Sequence, residues 1–258
     1  MFFLYFFVMP IDDALAQLGP SIKYEPDKSI LHLHLDAEFI KVPSSVFPDE
    51  LIEHYKLPEL SLNLQNGLYV SKKKLQKTPE IIEVGKRLNI NLQNRTSNYD
   101  FLGKINWVEA KQLVEEGLQS RMLTPALYFQ VLKWAEDNNS EFAEDLKKNA
   151  EWLDAVTKEG ATDAIARYIV HSDKDLNNGR DYSKILIPLD KMFDYADVDI
   201  LSGLPIGLKE NGKFKQYYPE KNPTAVVRNW YSELGLDCNG APSDSNGVLG
   251  VRLIKFFP

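Results

Sequence analysis

Residues 224–258 read TAVVRNWYSELGLDCNGAPSDSNGVLGVRLIKFFP. Ala225-Val226-Val227 is an apolar, β-branched run that leads into Arg228 and Trp230, and residues 248–254 form a second apolar run. Each predicts a strand. The residue types between them favour exposed loops. The pattern therefore predicts two paired, core-anchored strands that hold a polar segment at fixed end points. The candidate ligand-binding residues on that segment are Asn229, Tyr231, Ser232, Asp237, Asn239, Ser243, Asp244, Ser245 and Asn246. They are short or planar polar side chains around a rigid aromatic, Tyr231, and such a surface binds without a large ordering cost.

Working outward, residues 106–125 (NWVEAKQLVEEGLQSRMLTP) carry the most regular pattern in the chain. Asn106 with Glu109 three residues on is a capping box. Trp107, Ala110, Leu113 and Val114 then share one helical face, and Gly117 marks the helix end. Thr124-Pro125 opens a second helix by the same logic, with Tyr128, Val131, Leu132 and Ala135 as its apolar face. Residues 141–150 predict a short third helix with Phe142 and Leu146 inward. Residues 151–156 predict a strand or a tight turn.

The block 106–125 resembles the two-helix signature of the formylglycine-generating-enzyme-like branch of the C-type lectin fold. There a Trp-x-x-Ala helix is followed by a glycine, an arginine-containing turn and a second helix. The C-terminus is similar as well. Arg228, Trp230, the polar loop at 237–246 and Gly250-Val251-Arg252-Leu253 follow in the family's order. The loop looks like the ligand-binding region of the retroelement-diversified variable proteins that share this fold. The likeness covers residues 104–258. It implies an α+β chain with a C-type lectin-like domain at 104–258, preceded by a small N-terminal α/β extension, residues 1–103, of no assigned family. The enzyme branch of the fold oxidises a substrate cysteine with paired cysteines, whereas Cys238 is the only cysteine here. The sulfoxide-synthase relatives hold iron through histidines, and of His32, His34, His54 and His171 only the last lies inside the matched segment. The resemblance therefore assigns no catalytic residue.

Toward the N-terminus, residues 1–9 (MFFLYFFVM) form an apolar run that stops at Pro10. The run is far short of the roughly 20 residues of a spanning helix, and it lacks the basic flank and cleavage site of a signal peptide. It predicts a buried terminal strand or a homo-oligomer contact, with translation from Met9 as a third reading. A short helix is expected at 11–18. Residues 30–35 alternate strictly and predict a strand whose polar face carries His32 and His34, with 39–42 as the return strand. A helix follows at 48–55. Strands are expected at 60–64 and 68–70 around an Asn66-Gly67 turn, and a helix at 78–88. Residues 89–100 are polar and predict a linker. Farther on, 164–170 and 198–201 are apolar and 184–189 predicts a strand.

The 258 residues suffice for one large domain, or for a main domain with a smaller one attached. A net charge of −7 argues against nucleic acid or an anionic membrane as partner, since both need clustered positive charge. Lys72-Lys73-Lys74 reads as a solvated edge. A lone cysteine excludes an intrachain disulfide and a cysteine-based zinc site within one chain.

Residues 172–181 (SDKDLNNGRD) set Asp173, Asp175, Asn177 and Asp181 at alternate positions, a set of hard oxygen ligands that suits calcium. The EF-hand pattern fails, because the glycine falls one place late and Lys184 stands where the closing glutamate belongs. A solvated Asx-turn loop is the competing reading. These features together predict a non-enzymatic ligand-binding protein that presents its polar C-terminal segment to a protein or a glycan. Two alternatives stand beside it. One is a structural or assembly protein, a virion component included, motivated by the apolar N-terminus. The other is an enzyme of the same fold with an unrecognised site. Cell surface, virion and cytoplasm are all compatible with the sequence.

Overall fold

Strand β10 (Leu253–Phe256) lies in the middle of a four-stranded antiparallel sheet. On one side it pairs with β2 (Leu68–Ser71), and β2 pairs onward with β1 (Phe39–Val42). On the other side it pairs with the short β3 (Arg121–Met122). Val42, Leu68, Val70 and Ile254 are buried, so the sheet has one face on the core. The computed structural model that gives this arrangement describes residues 39–55, 64–95, 99–148, 150–158, 168–170, 192–201, 203, 205, 209–217, 224–230, 235–240, 243–245 and 247–256. The expected elements at 1–9, 11–18, 30–35 and 184–189 lie outside these residues.

The second sheet runs β5-β4-β8-β9-β7-β6. Its strands are β4 (Trp152–Lys158), β5 (Tyr168–Val170), β6 (Met192–Phe193), β7 (Phe214–Tyr217), β8 (Thr224–Trp230) and β9 (Gly235–Gly240). Every pairing is antiparallel except β7 with β9. The two sheets meet where Glu151 forms a parallel bridge to Gly250 and the Trp152 N–H donates to Gly250 O at 2.9 Å.

Five of the expected helices form among the described residues. They are α1 (Asp49–His54), α2 (Pro79–Arg87), α3 (Trp107–Gln112), α4 (Pro125–Asn138) and α5 (Ser140–Lys148). Thr78 and Thr124 each accept the N–H three residues on, and both halves of the Asn106–Glu109 box are present. Beyond Gln112 the α3 helix widens into a π turn, Leu113–Gly117, in which the Leu118 N–H reaches back to Leu113 O.

Two cores result. One surrounds α4, where Leu127, Tyr128, Val131 and Leu132 pack with Phe142 and Leu146 of α5 and with Val42, Val70 and Ile254 of the first sheet. Phe129, Phe193 and Phe214 extend it as edge-to-face and tilted rings. The other joins Ile81 and Val84 of α2 to Trp107, Ala110, Leu113 and Val114 of α3, with Trp152, Leu249 and Val251. The architecture is α+β.

Several expectations are corrected. The strands at 224–230 and 253–256 belong to different sheets and do not pair with each other. The stretch 235–240, expected as loop, is strand β9, held by backbone pairing to β8 and β7 rather than by an apolar pattern. Leu64–Asn66 is a 3-10 turn, and β2 pairs with β1 and β10, while residues 60–63 of the expected hairpin lie outside the described residues. Gly67 has φ 89°, and a Cβ there would stand 2.5 Å from Val42 O, which explains the glycine. The expected linker at 89–100 is packed, since Ile90, Leu92 and Phe101 are buried and Lys77 donates to Gln93 O and Arg95 O. The first sheet also crosses position 103, because β2 pairs with β10 on one side and with β1 on the other.

Candidate functional site

The candidate residues of the C-terminal segment fall at three places. Asn229 lies in β8, and Asp237 and Asn239 lie in β9. Ser243, Asp244 and Ser245 are exposed ahead of β10. The register sets Asp237 opposite Arg228 and Asn229 opposite Leu236, so Asn229 and Asp237 occupy strand positions of opposite parity. The structure keeps residues 243–245 together and sets Asn229 and Asp237 one register step apart on paired strands. Tyr231, Ser232 and Asn246 lie outside the described residues, as do the calcium candidates Asp173, Asp175, Asn177 and Asp181. Among the described residues no three His, Cys, Asp or Glu side chains converge on a metal-sized site.

Elsewhere the chain frames a cavity of about 530 Å³. One wall carries Lys73, Gln76 and Lys77, which follow β2, and the other carries Arg95, Tyr99, Asp100 and Phe101, which precede α3. Backbone bonds fix the walls. The Leu75 N–H donates to Val251 O at 2.8 Å, and the Leu102 N–H donates to Leu75 O at 2.7 Å. Tyr99 stacks parallel on Phe101 with centroids 5.4 Å apart; Phe101 is buried while Tyr99 is 41% exposed. Gly250 packs against Phe101, and a Cβ there would come within 2.7 Å of Lys74 Cδ and 2.8 Å of Phe101 Cδ2.

The cations of the cavity differ in what they have left to give. Arg95 donates to Asn91 O, to Lys104 O and, through both terminal nitrogens, to Glu109, which uses four of its five N–H groups. The Lys77 ammonium spends two of its three on Gln93 O and Arg95 O. No acceptor among the described residues pairs with the exposed Lys73 ammonium.

Behind the cavity lies a buried ion network. The Arg252 side chain is out of solvent and donates through Nε to Glu151 Oε2 at 3.2 Å and through Nη2 to Asp145 Oδ2 at 2.6 Å. Its Nη1 donates to the carbonyls of Ser71 and Lys72 at 2.7 and 2.6 Å. Lys74 stands 3.8 Å from Glu151 and is buried, which corrects the reading of Lys72-Lys73-Lys74 as a wholly solvated edge. Burial pulls the Lys74 pKa down to about 8; Glu151 opposes that shift and Arg252 adds to it. This network fixes the backbone on which Lys73 is carried.

A second charged group ties α3 to the sheets. Lys111 lies 2.5 Å from Glu115 and 3.3 Å from Asp154, and Arg121 lies 3.2 Å from Glu115. Burial and the Asp154 charge push the Glu115 carboxyl up, with Lys111 and Arg121 opposing. The group is balanced in charge, two cations against two carboxylates.

Sequence reasoning missed the cavity. The one local signal was Tyr99, an aromatic exposed within a polar stretch. No protein-family model matches the chain, and neither a curated protein nor a solved structure matches it. Among the described residues no helix is long and apolar enough to cross a membrane.

Proposed function

We propose that the chain is a non-enzymatic ligand-binding protein of C-type lectin-like organisation, which presents its polar C-terminal surface to a protein or a glycan. Four features of the topology support the lectin-like reading. A late strand, β10, pairs antiparallel with an early one, β2. Two helices, α3 and α4, follow with a short strand between them that joins the same sheet. The antiparallel strands β4, β8 and β9 form a separate sheet. The exposed turn at 243–245 precedes β10 in the chain. On this reading the lectin-like unit begins near β2 rather than at residue 104.

One observation carries the binding assignment. The exposed Ser243-Asp244-Ser245 turn is held between β9 in one sheet and the buried Leu249, Val251 and Arg252 at the entry to β10. A turn between a paired strand and a buried segment has less freedom to lose on binding than a free loop. The test is an array of glycans and purified cell-surface proteins probed with the full chain and with the double variant Tyr231→Ala, Asp244→Ala. The expected result is a ligand bound by the wild type and lost by the variant, with a thermal melt of each to check that the variant folds. A ligand held equally by both would remove the C-terminal surface from the function.

A further inference from the structure

We propose that the cavity beside Tyr99 binds a carboxylated sugar, such as a uronic or sialic acid residue at the end of a glycan. The site is distinct from the 243–245 surface and does not depend on it. Its volume of about 530 Å³ lies within the roughly 300–1,000 Å³ typical of small-molecule sites.

The lining selects the chemistry. Tyr99 offers a flat aromatic surface made rigid by the buried Phe101 stacked 5.4 Å away. The C–H face of a sugar ring packs on such a plane by dispersion, and a phenol keeps its polar edge in water while doing so. Lys73, with no described acceptor of its own, and the remaining N–H of Lys77 supply charge for one carboxylate. Gln76 and Asp100 share the cavity, and they are respectively a two-way partner and a strong acceptor for hydroxyl groups.

Asp100 also tells against more highly charged ligands. A phosphate or a sulfate cluster would meet its carboxylate with only two open cations to offset it, because Arg95 is already committed to Glu109. A neutral sugar would make no use of the Lys73 charge. A ring that carries hydroxyls and a single carboxylate uses every group present.

The test is an isothermal and NMR titration of the full chain with tetragalacturonate, with a glucuronate-terminated tetrasaccharide, with N-acetylneuraminyl-lactose and with maltotetraose as the neutral counterpart. The expected result is binding of at least one acidic sugar, weakened at least about tenfold by Tyr99→Ala and by Lys73→Gln. Tyr99→Phe and Asp244→Ala should retain it, and added salt should weaken it. Because Tyr99 and Lys73 are exposed, these variants should fold, which their melts check. Three results would overturn the proposal: no binding of any acidic sugar, equal binding of maltotetraose, or displacement of the sugar by inorganic phosphate at matched ionic strength, which would mark a plain anion site. Loss of array binding in the Tyr231, Asp244 variant with sugar binding intact would separate this site from the C-terminal surface.

Discussion

Trp107 and Trp152 are cross-tied: each donates its indole N–H to the backbone beside the other. Trp107 Nε1 donates to Leu153 O at 2.8 Å, and Trp152 Nε1 donates to Ile105 O at 2.9 Å. Both rings are buried in the same core, so α3 and β4 are fixed to each other by two reciprocal bonds and two large apolar surfaces. Trp107→Ala should cost about 3–5 kcal/mol in urea unfolding, as large-to-small core changes do. Trp107→Phe should cost less, about 1–3 kcal/mol, for the carbonyl left without its donor. The double Phe variant should cost less than the sum of the singles, because both bonds set the same helix-to-strand distance. Strict additivity would show that the two ties act independently.

Arg252 and Glu151 are an ion pair with both side chains shielded from water. Removing one partner of such a pair is costly because the other charge stays buried. Arg252→Leu should therefore destabilise by about 3–5 kcal/mol. Arg252→Lys should not rescue it, since an ammonium cannot reproduce the planar fork that reaches Glu151, Asp145 and two carbonyls at once. Equilibrium denaturation checks both, and a near-native Lys variant would argue that charge alone suffices.

Lys74 gives the stability a pH dependence. Its folded-state pKa of about 8 lies below the ordinary 10.5. Between those values the unfolded chain binds more protons than the folded one, so stability rises with pH across the window. Below pH 8 the lysine is charged in both states and the burial cost is present in full. The wild type should therefore gain up to about 3 kcal/mol relative to Lys74→Met as pH rises through the window. A pH-independent difference between the two would place the Lys74 ammonium in contact with water.

Gly250 permits the close approach of three segments. A methyl group there would press on Lys74 and Phe101 at 2.7 and 2.8 Å. Gly250→Ala should cost about 1–3 kcal/mol through overpacking and should displace Phe101, and with it Tyr99. Thermal melts read the first effect. Ring-proton shifts of Tyr99 read the second, and unchanged shifts would show that the wall yields elsewhere.

The helices were legible because their signals are local. Thr78-Pro79, the Asn106–Glu109 box and Thr124-Pro125 each mark a start within a few residues, and the apolar faces of α3 and α4 follow the helical period. Strand pairing is not local. β9 is made of Gly-Leu-Asp-Cys-Asn-Gly, four of whose six residues are types depleted in strands, and its pairing to β7 and β8 makes it one. The burial of Lys74 depends on Glu151 and Asp145, far along the chain, so Lys72-Lys73-Lys74 read as an edge. Residues 89–100 read as a linker because their polar residues outnumber Ile90 and Leu92, which carry the packing. The cavity was hidden for the same reason, since its two walls come together only when Leu75 is bonded between Val251 and Leu102.

The place of β10 between β2 and β3 has a consequence for synthesis. Ribosomes release β2 and β3 long before Leu253 is made, and each then carries a bare edge with no partner. Arg252, whose contacts reach residues 101 to 181 positions back, arrives equally late. The nascent chain therefore waits with open strand edges, a state prone to pairing with other chains and suited to chaperone capture. Ribosome-stalled chains that end before Leu253 should be cut rapidly by protease within 68–122, and chains extended past Phe256 should resist.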